Sequence, residues 1–181
     1  MDTTGTMRAL DDGRGAVRVE DVYDTDVDDL WEACTSLERL TRWLVTELSG
    51  DLRVGGLLYA AFTSGWSGPV RVEACDRPRH LLLTLEPGTD DRSEVEAWLS
   101  AEGDRARLVV EERGLPLDKL HFYGAGWQAH VEDLTRSLSG HSSRWRVRWT
   151  ELTPVYQAAP VLECSPGQPT HGRPTAEERI R

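Results

Sequence analysis

Residues 116–140 read PLDKLHFYGAGWQAHVEDLTRSLSG, and within them Leu120, Gly124, Trp127, Val131, Leu134 and Leu138 recur at intervals of 4, 3, 4, 3 and 4. That spacing places all six on one face of an α-helix, with Pro116 suited to a first helical turn and Gly140 to a stop. The predicted helix has about 22 residues and, at about 1.5 Å per residue, is long enough to lie across a small sheet. Tyr123 and His130 flank the apolar stripe.

Upstream, the chain is a series of short β runs punctuated by turn residues. VTELSG, LRVGGLLYAAFTS, WSGPVRVEACD, RHLLLTLEP, SEVEAWLSAEG and RARLVVEERG follow one another between positions 45 and 114. Loops this short demand antiparallel pairing, because parallel neighbours need a crossover of a dozen residues or more. Before them, AVRVEDVYD (16–24) alternates with period two, placing Val17, Val19, Asp21 and Tyr23 on one side. Thr25 or Asp26 then caps a helix carrying Val27, Leu30, Trp31 and Cys34, and a bend at Thr35 and Ser36 leads to a second carrying Leu37, Leu40, Trp43 and Leu44.

The order is therefore strand, two short helices, five or six antiparallel strands, one long helix. A lone amphipathic helix after a curved sheet has only that sheet's concave face on which to bury its stripe. The expected class is α+β with a helix-grip arrangement over residues 15–140. Residues 1–14 lack any sustained period and read as a flexible lead-in. Residues 141–157 read as a short amphipathic extension through Trp145, Trp149, Leu152 and Tyr156, interrupted at Pro154. Residues 158–181, rich in Pro and Gly, read as an extended or mobile tail.

Composition narrows the function. A chain of 181 residues with 39% hydrophobic residues supports one sizeable core. No apolar run approaches the roughly 18–20 residues of a membrane span, and no leader-like segment opens the sequence, so a cytoplasmic protein without membrane insertion is expected. A net charge of −10 argues against a nucleic-acid partner. The segment from Ser142 onward is net positive, with six arginines against four glutamates, and is expected to lie on an acidic body. RWRVRW (144–149) interleaves arginine with Trp145 and Trp149, which pack on the body or on a second copy, so a homodimer through this region is one expectation. Cys34, Cys75 and Cys164 are far apart, without metal-ligand spacing, and read as reduced thiols. No cofactor or metal is expected.

Four stretches in this order resemble a known family: VYDTDVDDLWEACTSLERLTRWL (22–44), GDLRVGG (50–56), GPVRVEACDRPRHLLLTL (68–85) and GWQAHVEDLTRSLSG (126–140). The chain is similar to the START-like (SRPBCC) superfamily over Val17 to Gly140. Within it, the chain resembles the branch that includes the C-terminal domain of the heat-shock-protein-90 ATPase activator and polyketide-cyclase-like proteins. Asp26 stands where members commonly have proline, and Glu112 where many have histidine.

The resemblance implies a cavity between sheet and helix that holds a small apolar molecule. By strand parity Val72, Val95, Leu108, Val110 and Glu112 face it, and the long helix supplies Tyr123, Trp127 and Val131. A carboxylate on an inward parity is either paired, held protonated, or brought to water where the strand frays near Gly114. Aromatics at helical spacing serve equally as core and as cavity wall. No Ser/His/Asp order or GxSxG turn occurs, and His121 and His130, nine residues apart, project about 180° from one another on one helix. Binding without catalysis is the first reading and no catalytic residue is assigned. The alternatives are a cyclase- or aromatase-like enzyme using Glu112, Asp21 or Tyr123 to move protons, and a co-chaperone acting on a heat-shock-protein-90-like ATPase. That activator carries a further N-terminal domain, which the short lead-in here does not match.

Overall fold

A computed structural model describes residues 3–11 and 13–163. Cys164, His171 and the part of the expected tail beyond residue 163 lie outside the described residues. The elements run β1 (Thr4–Ala9), β2 (Arg14–Tyr23), α1 (Val27–Thr35), α2 (Leu37–Leu40), β3 (Val45–Gly50), β4 (Leu57–Phe62), β5 (Ser67–Asp76), β6 (His80–Leu85), β7 (Ser93–Glu102), β8 (Arg105–Pro116), a 3-10 turn (Leu117–Lys119), α3 (Leu120–Leu138), α4 (Trp145–Ala158) and β9 (Val161–Leu162). All nine strands join one sheet in the order β3-β4-β5-β6-β7-β8-β2-β1-β9. Every pairing is antiparallel except β1 with β9. This is the α+β helix-grip arrangement expected from the sequence, with the meander from β3 to β8 complete.

Register explains the two faces. Val17 pairs with Glu112 and Val19 with Val110 across β2 and β8, while Val95 pairs with Glu112 and Leu99 with Leu108 across β7 and β8. All the apolar members of these pairs are buried. The alternate positions carry charge on the opposite face: Arg113 bridges Glu94, Glu96 and Glu111, Arg8 bonds Glu111, and Arg107 joins Glu20 to Glu102. Register shifts at Gly15/Ala16, Val45/Glu47 and Val72/Ala74 add the local bends that curl the sheet.

Asp26 serves the start of α1 in proline's stead, its Oδ1 accepting from the Asp29 amide at 2.8 Å. At the other end of the fold, α3 is buried on more than its stripe. Besides Leu120, Gly124, Trp127, Val131 and Leu134, its buried residues include Gly126, Ala129, His130 and Asp133. The second face is covered by α4. Buried Asp133 accepts from the Arg144 amide at 2.9 Å and from the Ser143 hydroxyl, and so anchors the start of α4. Trp145 Nε1 donates to the Gly126 carbonyl at 3.1 Å, and Arg148 pairs with Glu132 and Glu151. Tyr156 closes the contact by seating against two glycines. A Cβ at Gly124 would stand 2.4 Å from the Tyr156 ring and one at Gly5 1.7 Å from its hydroxyl, so both close approaches require glycine.

Two expectations need correction. Residues 4–9 are not a loose lead-in: they form β1, held by the ladder to β2 and by packing of Met7 and Tyr156, although TGTMRA itself has almost no apolar pattern. Pro154 does not end the extension, since α4 continues to Ala158. Proline removes only one amide donor, its side is exposed, and Leu152 and Tyr156 on the buried side hold the helix. The beginning of the tail expected to be extended or mobile is extended, Val161–Leu162 pairing in parallel with Met7 and Arg8. Among the described residues no helix is long and apolar enough to cross a membrane.

Candidate functional site

One end of the grip stays open. A cavity of about 650 Å³ lies between the N-terminal half of α3, α4, the ends of β7 and β8, and the segments after β4 and β6. Seven aromatic residues border it: Phe62, Trp66, Phe122, Tyr123, Trp127, Trp145 and Trp149. Their arrangement is interlocked. Phe62 is 5.1 Å from Trp66 and 6.5 Å, edge-on, from Trp127, while Trp145 and Trp149 stack at 5.7 Å with planes 13° apart. Arg14, Lys119, Glu86 and Asp91 are charged members of the lining. Arg14 ties β2 to the rim by donating to the carbonyls of Gly114 at 2.9 Å and Asp90 at 2.7 Å.

Of the eight residues expected to bind ligand, Glu112, Tyr123 and Trp127 line this cavity. Val72, Val95, Leu108, Val110 and Val131 do not: all five are buried in the hydrophobic core. Strand parity identifies the concave face correctly, but these five positions are filled by the packed core, and the void opens instead beside the first half of α3.

Glu112 is buried, not brought to water by fraying, because β8 continues past it to Pro116. Its Oε1 accepts from Ser93 Oγ at 2.8 Å and its Oε2 from Trp127 Nε1 at 2.7 Å. Burial pushes its pKa up, and these two hydrogen bonds, which favour the charged form, offset only part of that. A raised folded-state pKa contributes stability that is present at low pH and lost as pH rises through the raised value. Glu112→Gln is therefore expected to raise the urea midpoint at pH 8 and leave it unchanged at pH 4. The amide oxygen can still accept from Trp127 and the amide nitrogen can donate to the Ser93 hydroxyl. A lower midpoint at pH 8 would refute the raised pKa of Glu112.

His130 also borders the cavity, a role its place beside the apolar stripe did not reveal. Its Nδ1 lies 3.0 Å from the Trp43 carbonyl, and its ring sits among Phe62, Trp127 and Trp145 at centroid distances of 6.5, 5.9 and 5.2 Å. Burial depresses its pKa to about 4, against the weaker opposing pull of the Trp43 carbonyl. Tyr123 is pushed above its usual value by burial and then by the nearby Glu112. Trp145 and Trp149, read from the sequence as body or dimer contacts, lie against α3 of the same chain and line the cavity as well. Asp21, the remaining inward acid, accepts from Thr3 Oγ1 at 2.7 Å and from the Val22 amide, and lines no part of the cavity. Among the described residues no three His, Cys, Asp or Glu side chains cluster to hold a metal, and Cys34 and Cys75 are free thiols.

This architecture has solved counterparts. CalU16 from Micromonospora echinospora is 30% identical with a TM-score of 0.68, covering 87% of this chain and 96% of that one. DynU16, a protein of the dynemicin biosynthetic locus, is 26% identical with a TM-score of 0.65, covering 72% of this chain and 49% of that one. EF2215 from Enterococcus faecalis, at 17% identity and a TM-score of 0.69 over 85% and 88% of the two chains, shares the fold. No curated protein sequence matches the chain. Residues 24–139 match the model of the family described as activator of Hsp90 ATPase homolog 1-like protein. With that match over most of its length and a helix-grip fold to go with it, the chain belongs to the activator of Hsp90 ATPase homolog 1-like family, within the START-like superfamily.

Proposed function

We propose that this protein binds a small, flat, largely apolar molecule in the cavity between its sheet and its C-terminal helices. The observation that carries this reading is the cavity itself. Its volume of about 650 Å³ falls in the range of sites for drug-sized ligands, and seven aromatic residues border it together with charged and polar side chains. Aromatic walls supply rigid contact area at small entropic cost. DynU16 is a protein of the dynemicin biosynthetic locus, and a ligand drawn from biosynthetic chemistry of that kind accords with the cavity.

Gly126 offers a direct test. A Cβ there would meet only Trp145 and Trp149, at 3.8 and 3.9 Å, so the helix tolerates a side chain that then projects among cavity-lining rings. Gly126→Leu is expected to keep the fold by circular dichroism and to lower the affinity of an aromatic probe such as naphthalene at least tenfold, about 1.4 kcal/mol. Equal probe binding by the variant, or no probe binding by the parent, would sink the reading. Native mass spectrometry of protein purified from its own host should show a retained small molecule that is lost on denaturation.

A second reading, a cyclase- or aromatase-like enzyme, draws on the fact that Glu112, Tyr123 and His130 border one cavity. Proton transfer near neutrality favours groups whose pKa lies near the working pH. His130 at about 4 is a weak base, and both Glu112 oxygens are already engaged, so binding takes precedence. Conversion of a retained ligand to a new mass during incubation would reverse that order.

A further inference from the structure

The rings around His130 leave one of its atoms without a partner. Nδ1 faces the Trp43 carbonyl, which can only accept, so Nδ1 carries the ring proton. In the neutral imidazole the other nitrogen, Nε2, is then a bare acceptor. Among the described residues, it is the buried side-chain nitrogen or oxygen that has no hydrogen-bond partner. An acceptor left unmade inside a protein costs free energy that a ligand donor can recover.

The surroundings cannot supply that donor. The two indoles packed on His130 have their N–H groups committed elsewhere, Trp127 to Glu112 and Trp145 to the Gly126 carbonyl. Phe62, the third ring, has none. Glu112, the other buried titratable group of the lining, has Ser93 on one oxygen and Trp127 on the other, so both its oxygens are engaged. Beside the aromatic walls and the charged rim, the cavity lining thus holds one buried acceptor that is unmet among the described residues. A pure hydrocarbon leaves that acceptor unmet, and a ketone or carboxylate oxygen set against Nε2 brings only a further acceptor.

We propose that His130 Nε2 is the polar anchor of the cavity, and that it selects ligands bearing a hydroxyl donor, phenolic or alcoholic, on a flat apolar skeleton. This rests on the binding reading above and names the ligand class within it. Because Nε2 is itself almost without accessible surface, the hydroxyl reaches it through a small shift of the bordering rings. The depressed pKa of His130 keeps the nitrogen an acceptor across the neutral range.

Three probes of nearly the same shape decide the matter: 2-naphthol, 2-methoxynaphthalene and naphthalene, each titrated against the full chain at pH 7 by tryptophan fluorescence. The parent protein is expected to bind 2-naphthol about tenfold more tightly than either probe that lacks a donor, the worth of one well-made hydrogen bond. In His130→Phe, which keeps a ring among the three neighbours, that preference should shrink to about twofold or less while naphthalene still binds. Should this variant not fold, the ¹⁵N resonance of Nε2 in the parent reports instead, and 2-naphthol alone should shift it towards a hydrogen-bonded position. Equal affinity for all three probes, a preference that survives His130→Phe, or an Nε2 resonance unmoved by 2-naphthol overturns the assignment while leaving the cavity reading intact. Failure of every probe to bind the parent defeats the cavity reading itself, and this inference with it.

Discussion

Trp127→Ala is expected to lower stability by about 3–5 kcal/mol, the usual cost of emptying a large aromatic site in a packed interior. Against a total of roughly 5–15 kcal/mol for a protein of this kind, that loss corresponds to a fall in Tm of roughly 10 °C. The size of the effect comes from two causes acting together. The indole is 7% exposed, meets Phe62 and His130 edge-on, and is part of the contiguous core as well as of the cavity wall. Its Nε1 is also one of the two donors to buried Glu112 among the described residues, so truncation leaves that carboxyl with Ser93 alone of the pair. Trp127→Phe separates the two causes, since it retains most of the ring area and removes only the donor. It should cost about 1–2 kcal/mol, with a further rise in the pKa of Glu112. Calorimetry on the two variants checks the pair. A loss below about 1 kcal/mol for Trp127→Ala would mean that the indole is a movable flap and not part of the core.

Acidification from pH 7 to pH 4 is expected to remove about 3 kcal/mol of stability through His130 alone. The sign follows from the proton balance. In the unfolded chain the imidazole titrates near its ordinary 6.5, and in the folded protein near 4, so between those values the unfolded state binds more protons. Stability is thus complete above pH 6.5 and declines steadily as pH falls towards 4. Desolvation is the cause, and no charged side chain offsets it. Asp29, held low first by its hydrogen bond from Arg39, and Glu73, held low first by that from Thr84, act in the same direction. Their losses fall below their ordinary values of 3.8 and 4.5. Glu112 acts oppositely, gaining as pH falls. Urea denaturation at half-unit intervals from pH 4 to pH 8 should show the decline, and His130→Phe should flatten it. A His130 ring proton that titrates near 6.5 by NMR in the folded protein would contradict the assignment.

The site was only partly legible before the fold was known. Glu112 could be placed on the concave side from the alternation of Ala106, Leu108 and Val110 with their neighbours, and Trp127 and Tyr123 from helical spacing. The same reasoning promoted Val72, Val95, Leu108, Val110 and Val131 to the cavity, where the structure has solid core. Parity and spacing report which way a side chain points and say nothing of what stands opposite. His130 was hidden for a related reason. Helical spacing sets it beside the stripe, and its surroundings come from Phe62, Trp145 and the Trp43 carbonyl, contributed by β4, α4 and the turn after α2.

Local pattern determined a great deal of this protein: six consecutive antiparallel strands, two short helices after β2, and a long amphipathic helix that the sheet must cover. These follow from period-two alternation, turn residues and a 3.6-residue stripe, all of which act between near neighbours in the chain. Only the tertiary structure decided that TGTMRA is a strand, that α4 runs through Pro154 to roof α3, and that Trp145 and Trp149 face inward. Those outcomes depend on partners far away in sequence, such as the fit of Tyr156 over Gly5 and Gly124 and the hold of Asp133 on the start of α4. The cavity belongs to the same class. It is the space left where α3, α4 and the ends of β7 and β8 fail to meet, and a gap between distant segments has no period for a sequence to carry.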